Sequence, residues 1–483
     1  MLPKRGGVSH RMRGSPANAA DQPLISQRVT RTSPAGSDAR FRAVATHGAE
    51  RQLSANRVGY LTLIIYVSVF YLKPWEQFPV LQGYPYMNWL AAASIVASGG
   101  ALLTRSFVLR APQVYLMAAF VGMAMASTVL AERWLGGFVW TFFELSPIFL
   151  VLILIVLHMT SLRRLRSISA VLIVLACAMV VQGLLAYGFG VDEKLFIMRQ
   201  GTNVETPSEV ARLRYVGVLS DPNDLAQFLL SAASLLPLLW TSGRRLGNTV
   251  KVLLPAALLL SGIYLTRSRG ALVGLAVLVF LLSYPKLGRK WAITASGLAL
   301  VALLLLNFSG GRAMSAGDSS AQGRIAAWSE GLQMVKSSPL WGVGYNAFSD
   351  HNDLVAHNSF VHCFAELGLV GYFLWLALIT TTMVQLKFLR DAPTESGRDA
   401  ASRRAAGTLR IALFTFLATA SFLSRTYTMT LYILLGLGVA LIAIGRQAAR
   451  PVGDGLLWRS LRLTAALVVA TVTVVYVAVL LLL

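Results

Sequence analysis

Apolar stretches alternate with short polar gaps along nearly the whole chain from residue 58, near 58–72, 86–104, 113–130, 138–158, 168–188, 224–240, 249–266, 270–284, 291–308, 359–386, 410–424, 426–445 and 461–483. A helix needs ~20 apolar residues to cross the hydrocarbon core. The pattern therefore predicts an all-α polytopic membrane protein with about 12–13 transmembrane helices. Residues 1–56 are rich in Arg, Ser, Ala, Gly and Pro and carry no sustained apolar period, which predicts a disordered basic cytoplasmic tail without the apolar core of a signal peptide. The expected organisation is transmembrane helices 1–9 over 57–308, a large outward loop with short helices over 309–357, helices 10–12 over 358–445, and a cytoplasmic loop with a final helix over 446–483.

Composition agrees: of 483 residues 55% are hydrophobic and 13% charged, and the mean hydropathy is +0.62, beyond what a soluble domain carries. The net charge of +22 would suggest a nucleic-acid partner in a soluble protein. In a membrane protein it is better explained by basic residues gathering in cytoplasmic loops, so no nucleic-acid partner is expected. With the basic tail inside, the loops at 105–112, 159–167, 241–248, 285–290, 387–409 and 446–460 face the cytoplasm. Cys177 and Cys363 both lie in apolar runs, giving neither a disulfide framework nor a thiolate metal cluster.

The informative basic residues are those that break this bias. Arg267 and Arg269 occupy a very short outward connection, Thr266-Arg-Ser-Arg-Gly270, where charge near the bilayer is costly. They either snorkel to lipid headgroups or grip a phosphate, which guanidinium groups bind in forked pairs. Two outward segments, about 189–223 and 309–357, exceed what a connection needs. The first holds Arg212, Arg214 and Ser220-Asp-Pro-Asn-Asp224, where Asp221 as N-cap followed by Pro222 predicts a helix start in preference to a metal site. The second holds Arg324-Ile-Ala-Ala-Trp328 on a short amphipathic helix, then Pro339-Leu-Trp-Gly-Val-Gly-Tyr-Asn346 with a tight turn.

His357, in His357-Asn-Ser359 at the mouth of a spanning helix, can accept a proton from a hydroxyl nucleophile or help to cap that helix. His362 lies off its face, Glu366 is too far along the axis to orient its ring, and His351 and His158 lie elsewhere. No histidines and carboxylates repeat at metal-ligand spacing. Glu144, inside a spanning segment, is either a buried hydrogen-bonding partner or a pathway residue. No nucleotide-binding motif appears in any cytoplasmic loop, so an activated donor would have to arrive within the membrane.

Ser268-Arg-Gly270 opening a helix, Arg324-x-x-x-Trp328, Pro339 to Asn346, and His357-Asn-Ser359 followed by Gly368 and Gly371 occur in the order that resembles the O-antigen ligase superfamily, and Ser220 to Asp224 also looks like this group. The motif likeness covers roughly residues 210–440. It implies a bacterial inner-membrane enzyme, needing no metal or other cofactor, that moves a glycan with inversion from an undecaprenyl-pyrophosphate donor at the periplasmic face. By that resemblance Arg269 and Arg324, with Arg267, would grip the pyrophosphate and His357 would be the general base. Arg212, Arg214, Asn358 and Tyr345 are candidate accessory residues. The acceptor would be lipid A-core in a ligase, another lipid-linked glycan in a polymerase, or a protein hydroxyl in an O-oligosaccharyltransferase. Val273 departs from the Leu often found four residues after the helix-start Arg, and family members more often have about twelve spans. A flippase or transporter is the alternative from another class. It should place ionisable groups at mid-membrane and show repeat symmetry, whereas here the unusual residues collect at one face.

Overall fold

A computed structural model describes residues 57–201, 209–240, 245–308, 319–393, 397–448 and 455–482. The tail expected over 1–56 lies outside the described residues, as do parts of both long outward segments. The principal helices are α1 (Arg57–Gln77), α2 (Tyr86–Ala97), α3 (Gly99–Arg105), α4 (Pro112–Glu132), α5 (Gly136–His158), α6 (Leu162–Phe189), α7 (Pro222–Leu235), α8 (Arg245–Thr266), α9 (Arg269–Phe308), α10 (Ser319–Ser337), α11 (Ser359–Asp391), α12 (Gly397–Ala420), α13 (Met429–Ala448) and α14 (Gly455–Leu482).

The chain is an all-α polytopic membrane protein. Among the described residues eight helices are long and apolar enough to cross a membrane, or nine if the bent pair α2 and α3 forms one span, fewer than the 12–13 expected. The shortfall has local causes. The apolar stretches at 270–284 and 291–308 lie end to end in α9 as two helices parted by a non-helical residue, Gly288 (φ 74°, ψ 174°), and are counted there as one span. Helix α7 has 14 residues, about 21 Å at 1.5 Å per residue, short of the ~30 Å core. Helix α12 opens with Arg398, Asp399, Arg403 and Arg404, and the apolar part of α13 is only Met429–Gly445. The final helix, α14, does qualify.

Helix α11 is the central element, packed against α4, α10, α12, α13 and α14. Its Tyr372 and Trp375 are fully buried, and the Phe360 ring meets Trp375 edge-on at 5.5 Å. Large apolar side chains on outer helices, such as Val469, Val474 and Leu481 of α14, are exposed, as a lipid-facing surface requires.

A small hairpin, β1 (Ile197–Gly201) against β2 (Glu209–Leu213), interrupts the first long outward segment, with Ile197 opposite Leu213. No strand was expected there. Its anchor is apolar: Phe196 stacks on Tyr215 at 5.4 Å, and Leu213 is buried over Gly183 of α6.

Helix α11 is broken at Gly368, whose φ of 63° is left-handed. Within an apolar bundle the freed backbone groups must find partners inside the protein, and the Pro339–Asn346 motif supplies them. Val343 N donates to Ala365 O at 3.1 Å, Gly344 N to Glu366 O at 3.0 Å, and Leu369 N to Pro339 O at 2.8 Å. Ser127 of α4 adds its hydroxyl to the Trp341 and Glu366 carbonyls. Gly342 (φ 73°) and Gly368 lie against each other's backbone, so a Cβ at either would overlap main-chain atoms. Gly368→Ala is therefore expected to destabilise the protein by more than the ~1–2 kcal/mol of a left-handed alanine, read as a lower unfolding temperature of the purified protein in detergent. An unchanged melt would mean that the loop does not hold the break.

Candidate active site

The start of α7 forms as its sequence directs. Asp221 caps the helix, its Oδ1 accepting from Asn223 N at 2.7 Å, and Pro222 fills the first turn. Asp224, one turn on, is buried and makes a two-point ion pair with the guanidinium of Arg425. Arg425 sits between α12 and α13 and is absent from the candidates drawn from the sequence.

The motif His357-Asn-Ser359 divides into three local tasks. Asn358 is the N-cap of α11, its Oδ1 accepting from Phe360 N at 2.9 Å and Val361 N at 3.3 Å. Ser359 staples the α12–α13 turn to the helix start: its hydroxyl donates to Leu423 O at 2.5 Å and accepts from Arg425 N at 2.8 Å. His357 caps nothing and is held at φ 46°, a region sparsely used by residues with a Cβ. Such strain, where the surroundings impose it, clusters at functional sites. Ser359→Ala should loosen the Arg425 turn, lowering stability by ~1–3 kcal/mol for the groups left unpaired, measurable as a fall in unfolding temperature. A melt unchanged from wild type would show that the staple is not needed.

The amphipathic helix α10 explains its own motif. Arg324 and Trp328 are one turn apart on one face, and Trp328 Nε1 donates to Ala356 O at 2.9 Å. The tryptophan thereby brings Arg324 beside His357. The imidazole pKa is pushed down, first by burial and then by the Arg324 charge; Asp221 opposes this and Arg425 adds to it. Arg324, Asp221, Arg425 and His357 thus share one electrostatic neighbourhood, at the end of the bundle where α7 and α11 begin.

The remaining candidates divide between this neighbourhood and other places. Arg212 is buried, with Nε on Thr266 O at 3.0 Å and Nη2 on Asn223 Oδ1 at 3.2 Å, so it ties the end of α8 to the start of α7. Arg267 (φ 51°) follows directly, its guanidinium 5.7 Å from the Tyr264 ring and its Nη1 buried without a hydrogen bond among the described residues. Arg269 is exposed at the first turn of α9, and the adjoining Gly270 lies close to Phe422, just before Arg425. Arg214 goes elsewhere, donating to Lys194 O at the hairpin base at 2.6 Å. Tyr345 is buried beside Tyr427, ring centroids 4.7 Å apart.

Tyr345 leads to a second polar cluster that sequence reasoning missed. Glu366, 1% exposed, accepts from Tyr427 Oη at 2.8 Å and Phe348 N at 3.3 Å and lies 3.2 Å from His362 Nε2. His362 Nδ1 meets Thr426 Oγ1 at 3.3 Å, beside Arg425. Glu366 does not reach toward His357; its partner is the histidine one turn before it. Burial and the Glu366 charge raise the Tyr427 pKa well above the usual phenol value, keeping it a donor. Among the described residues no three His, Cys, Asp or Glu side chains gather where they could hold a metal ion.

A multi-pass α-helical membrane protein with arginines, a strained histidine and a serine-stapled turn at one end of its bundle is the class that the geometry defines. Residues 254–376 match the O-antigen ligase family, a stretch that takes in Arg267, Arg269, Arg324, the Pro339–Asn346 loop, His357 and Gly368. The chain is also similar to the exopolysaccharide production protein ExoQ of Rhizobium meliloti (strain 1021), 34% identical over 119 residues, which cover 20% of this chain and 27% of that relative. These matches agree with the O-antigen ligase resemblance of the motifs, and the chain spans about a quarter of the relative's length.

Proposed function

We propose that the protein is a glycosyltransferase that moves a glycan from undecaprenyl pyrophosphate to an acceptor hydroxyl at the periplasmic face of the bacterial inner membrane. The observation that carries this is the pairing of His357 with Arg324 and Arg425 beside the first turns of α7 and α11. Helix N-termini and guanidinium groups both favour a phosphate anion.

In the proposed step His357 accepts the proton of the acceptor hydroxyl as its oxygen attacks the anomeric carbon from the face opposite the leaving group. The bond between that carbon and the phosphate oxygen breaks, and undecaprenyl pyrophosphate departs with the bonding electrons. Arg269 and Arg324, with Arg267 beside them, receive the growing negative charge; donors of this kind supply ~2.7–4 kcal/mol each. Arg212, Asn358 and Tyr345 act through the scaffold. Leaving-group charge is met by cations already present in the chain, so transfer is expected to survive chelators; its loss in EDTA, with recovery on adding a divalent cation, would contradict this part of the mechanism.

The lowered His357 pKa has a definite sign. The free base persists below the ordinary imidazole value of about 6.5, so kcat/KM should hold as pH falls through that value and decline only at lower pH. A descending limb centred above 6.5 would be incompatible with this environment.

Three acceptor readings share these residues. The name of the relative, an exopolysaccharide production protein, favours a polymerase, in which the acceptor is the free end of another lipid-linked glycan, over transfer to lipid A-core or a protein. Reconstitution of the purified protein with a synthetic undecaprenyl-pyrophosphate glycan separates them. Products growing by repeat units without added acceptor identify a polymerase, one addition to lipid A-core or protein identifies the corresponding ligase, and no glycosidic bond with any acceptor contradicts the transferase itself.

A further inference from the structure

One surface next to the site is left unused by this chemistry. Helix α5 exposes Phe138, Val139, Phe142 and Phe143 along a broad apolar arc suited to lipid. At one margin of that arc lie Trp140 and Glu144, one turn apart and so on the same face. Glu144 is exposed, with no hydrogen bond or ion pair among the described residues, about 12 Å along the axis from the helix start at 1.5 Å per residue. A bare carboxylate on a lipid-facing helix is expensive, which argues that this margin opens to water.

The aromatic residues here form a continuous series. Trp134 and Trp140 are 6.1 Å apart by ring centroid, Trp140 and Tyr345 5.7 Å, and Tyr345 and Tyr427 4.7 Å. Tyr427 in turn lies 5.7 Å from His362, beside the Arg425 turn. Trp134 packs against Gly136 and Gly137, positions where any Cβ would strike its ring, yet remains 47% exposed. An indole backed by glycine on one side and open on the other is a fixed platform. It loses little entropy on binding a flat partner, which is why rigid aromatics dominate recognition surfaces. A membrane-interface belt would need neither the series of rings leading to Tyr427 nor the carboxylate beside it.

We propose that Trp134, Trp140 and Glu144, with Tyr345 at the inner end, form a saccharide subsite in which a pyranose ring of the glycan stacks its C–H face on Trp140 and donates hydroxyls to Glu144. The proposal rests on the transferase reading only for the direction of transfer; binding of sugar to this surface stands or falls separately. The pyranose belongs either to the donor glycan or to a glycan acceptor, the same chemistry from two sources.

The test uses the full chain purified in lipid nanodiscs and titrated calorimetrically with free oligosaccharides of one to four repeats, released by mild acid from the surface polysaccharide of the producing cells. The wild type should bind. Trp140→Ala should weaken binding about tenfold, the scale of one stacking contact, Trp140→Phe should restore most of it, and Glu144→Gln should weaken it severalfold. Trp458→Ala, at an exposed tryptophan of α14, should change nothing. If Trp140→Ala binds like the wild type, or the wild type does not bind at all, the subsite is refuted, whether or not transfer is found. Where transfer proceeds, a KM raised for the lipid-linked donor assigns the pyranose to the donor, and a KM raised for the acceptor assigns it to the acceptor. Neither rising overturns a role for this surface in the reaction.

Discussion

Replacing His357 by alanine is expected to slow single-turnover transfer by about 10²–10⁴-fold, the usual contribution of a positioned general base, while affinity for the lipid-linked donor changes little. The separation follows from where the ring acts. A base on the acceptor hydroxyl gains its interaction as the proton moves, in the transition state, and makes little ground-state contact with the pyrophosphate. The structure adds a reason to expect correct folding in this variant: Asn358 makes the helix cap and Ser359 the staple, so neither task falls to His357. A stable His357→Ala protein with wild-type single-turnover rates would remove the imidazole from the base role and leave its backbone strain without a function.

The second large effect belongs to the arginines. Arg324→Ala and Arg269→Ala are each expected to lower kcat by about 10²–10³-fold, as loss of one donor to developing charge does elsewhere. Arg269→Lys should recover only part of it, because an ammonium cannot reproduce the two-point grip of a planar guanidinium. Arg324→Ala carries a further signature: removing a charge that depresses the His357 pKa should move the acid limb of the pH profile upward. Full activity in Arg269→Lys together with loss in Arg269→Ala would point to simple charge or lipid anchoring.

Much of this arrangement is legible in the chain because local rules act locally. Asp221-Pro222 is read as a helix start and is one; the amphipathic pattern from Arg324 to Val335 is read as a surface helix and falls within α10. The apolar repeats give the membrane class, and the two helices expected on either side of 285–290 are present, parted at Gly288; what hydropathy does not register is how short α7 is, at 14 residues. The partners that cross the fold are harder to see. Asp224 and Arg425 are 201 residues apart in sequence, and no spacing rule links them. Yet the criterion that singles out Arg267 and Arg269, an arginine in a very short outward connection, applies equally to Arg425 between the apolar stretches at 410–424 and 426–445. His362 and Glu366 are one turn apart, a spacing visible in sequence. Their significance depends on the break at Gly368 and on Tyr427 arriving from another turn. Glycines that look like generic turn formers, Gly342 and Gly368, are required because two backbones touch there.

The claim that binds these observations together is that the cationic end of the bundle breaks a glycosyl–pyrophosphate bond. It is tested most directly by quantifying, in proteoliposomes loaded with an undecaprenyl-pyrophosphate glycan and acceptor, the undecaprenyl pyrophosphate released for each glycosidic bond formed. The account predicts one for one in the wild type and, in His357→Ala, both products formed about 10²–10⁴-fold more slowly and still in step. Glycan crossing the membrane still attached to its lipid, with no bond formed and no free undecaprenyl pyrophosphate, would contradict it and make the protein a transporter.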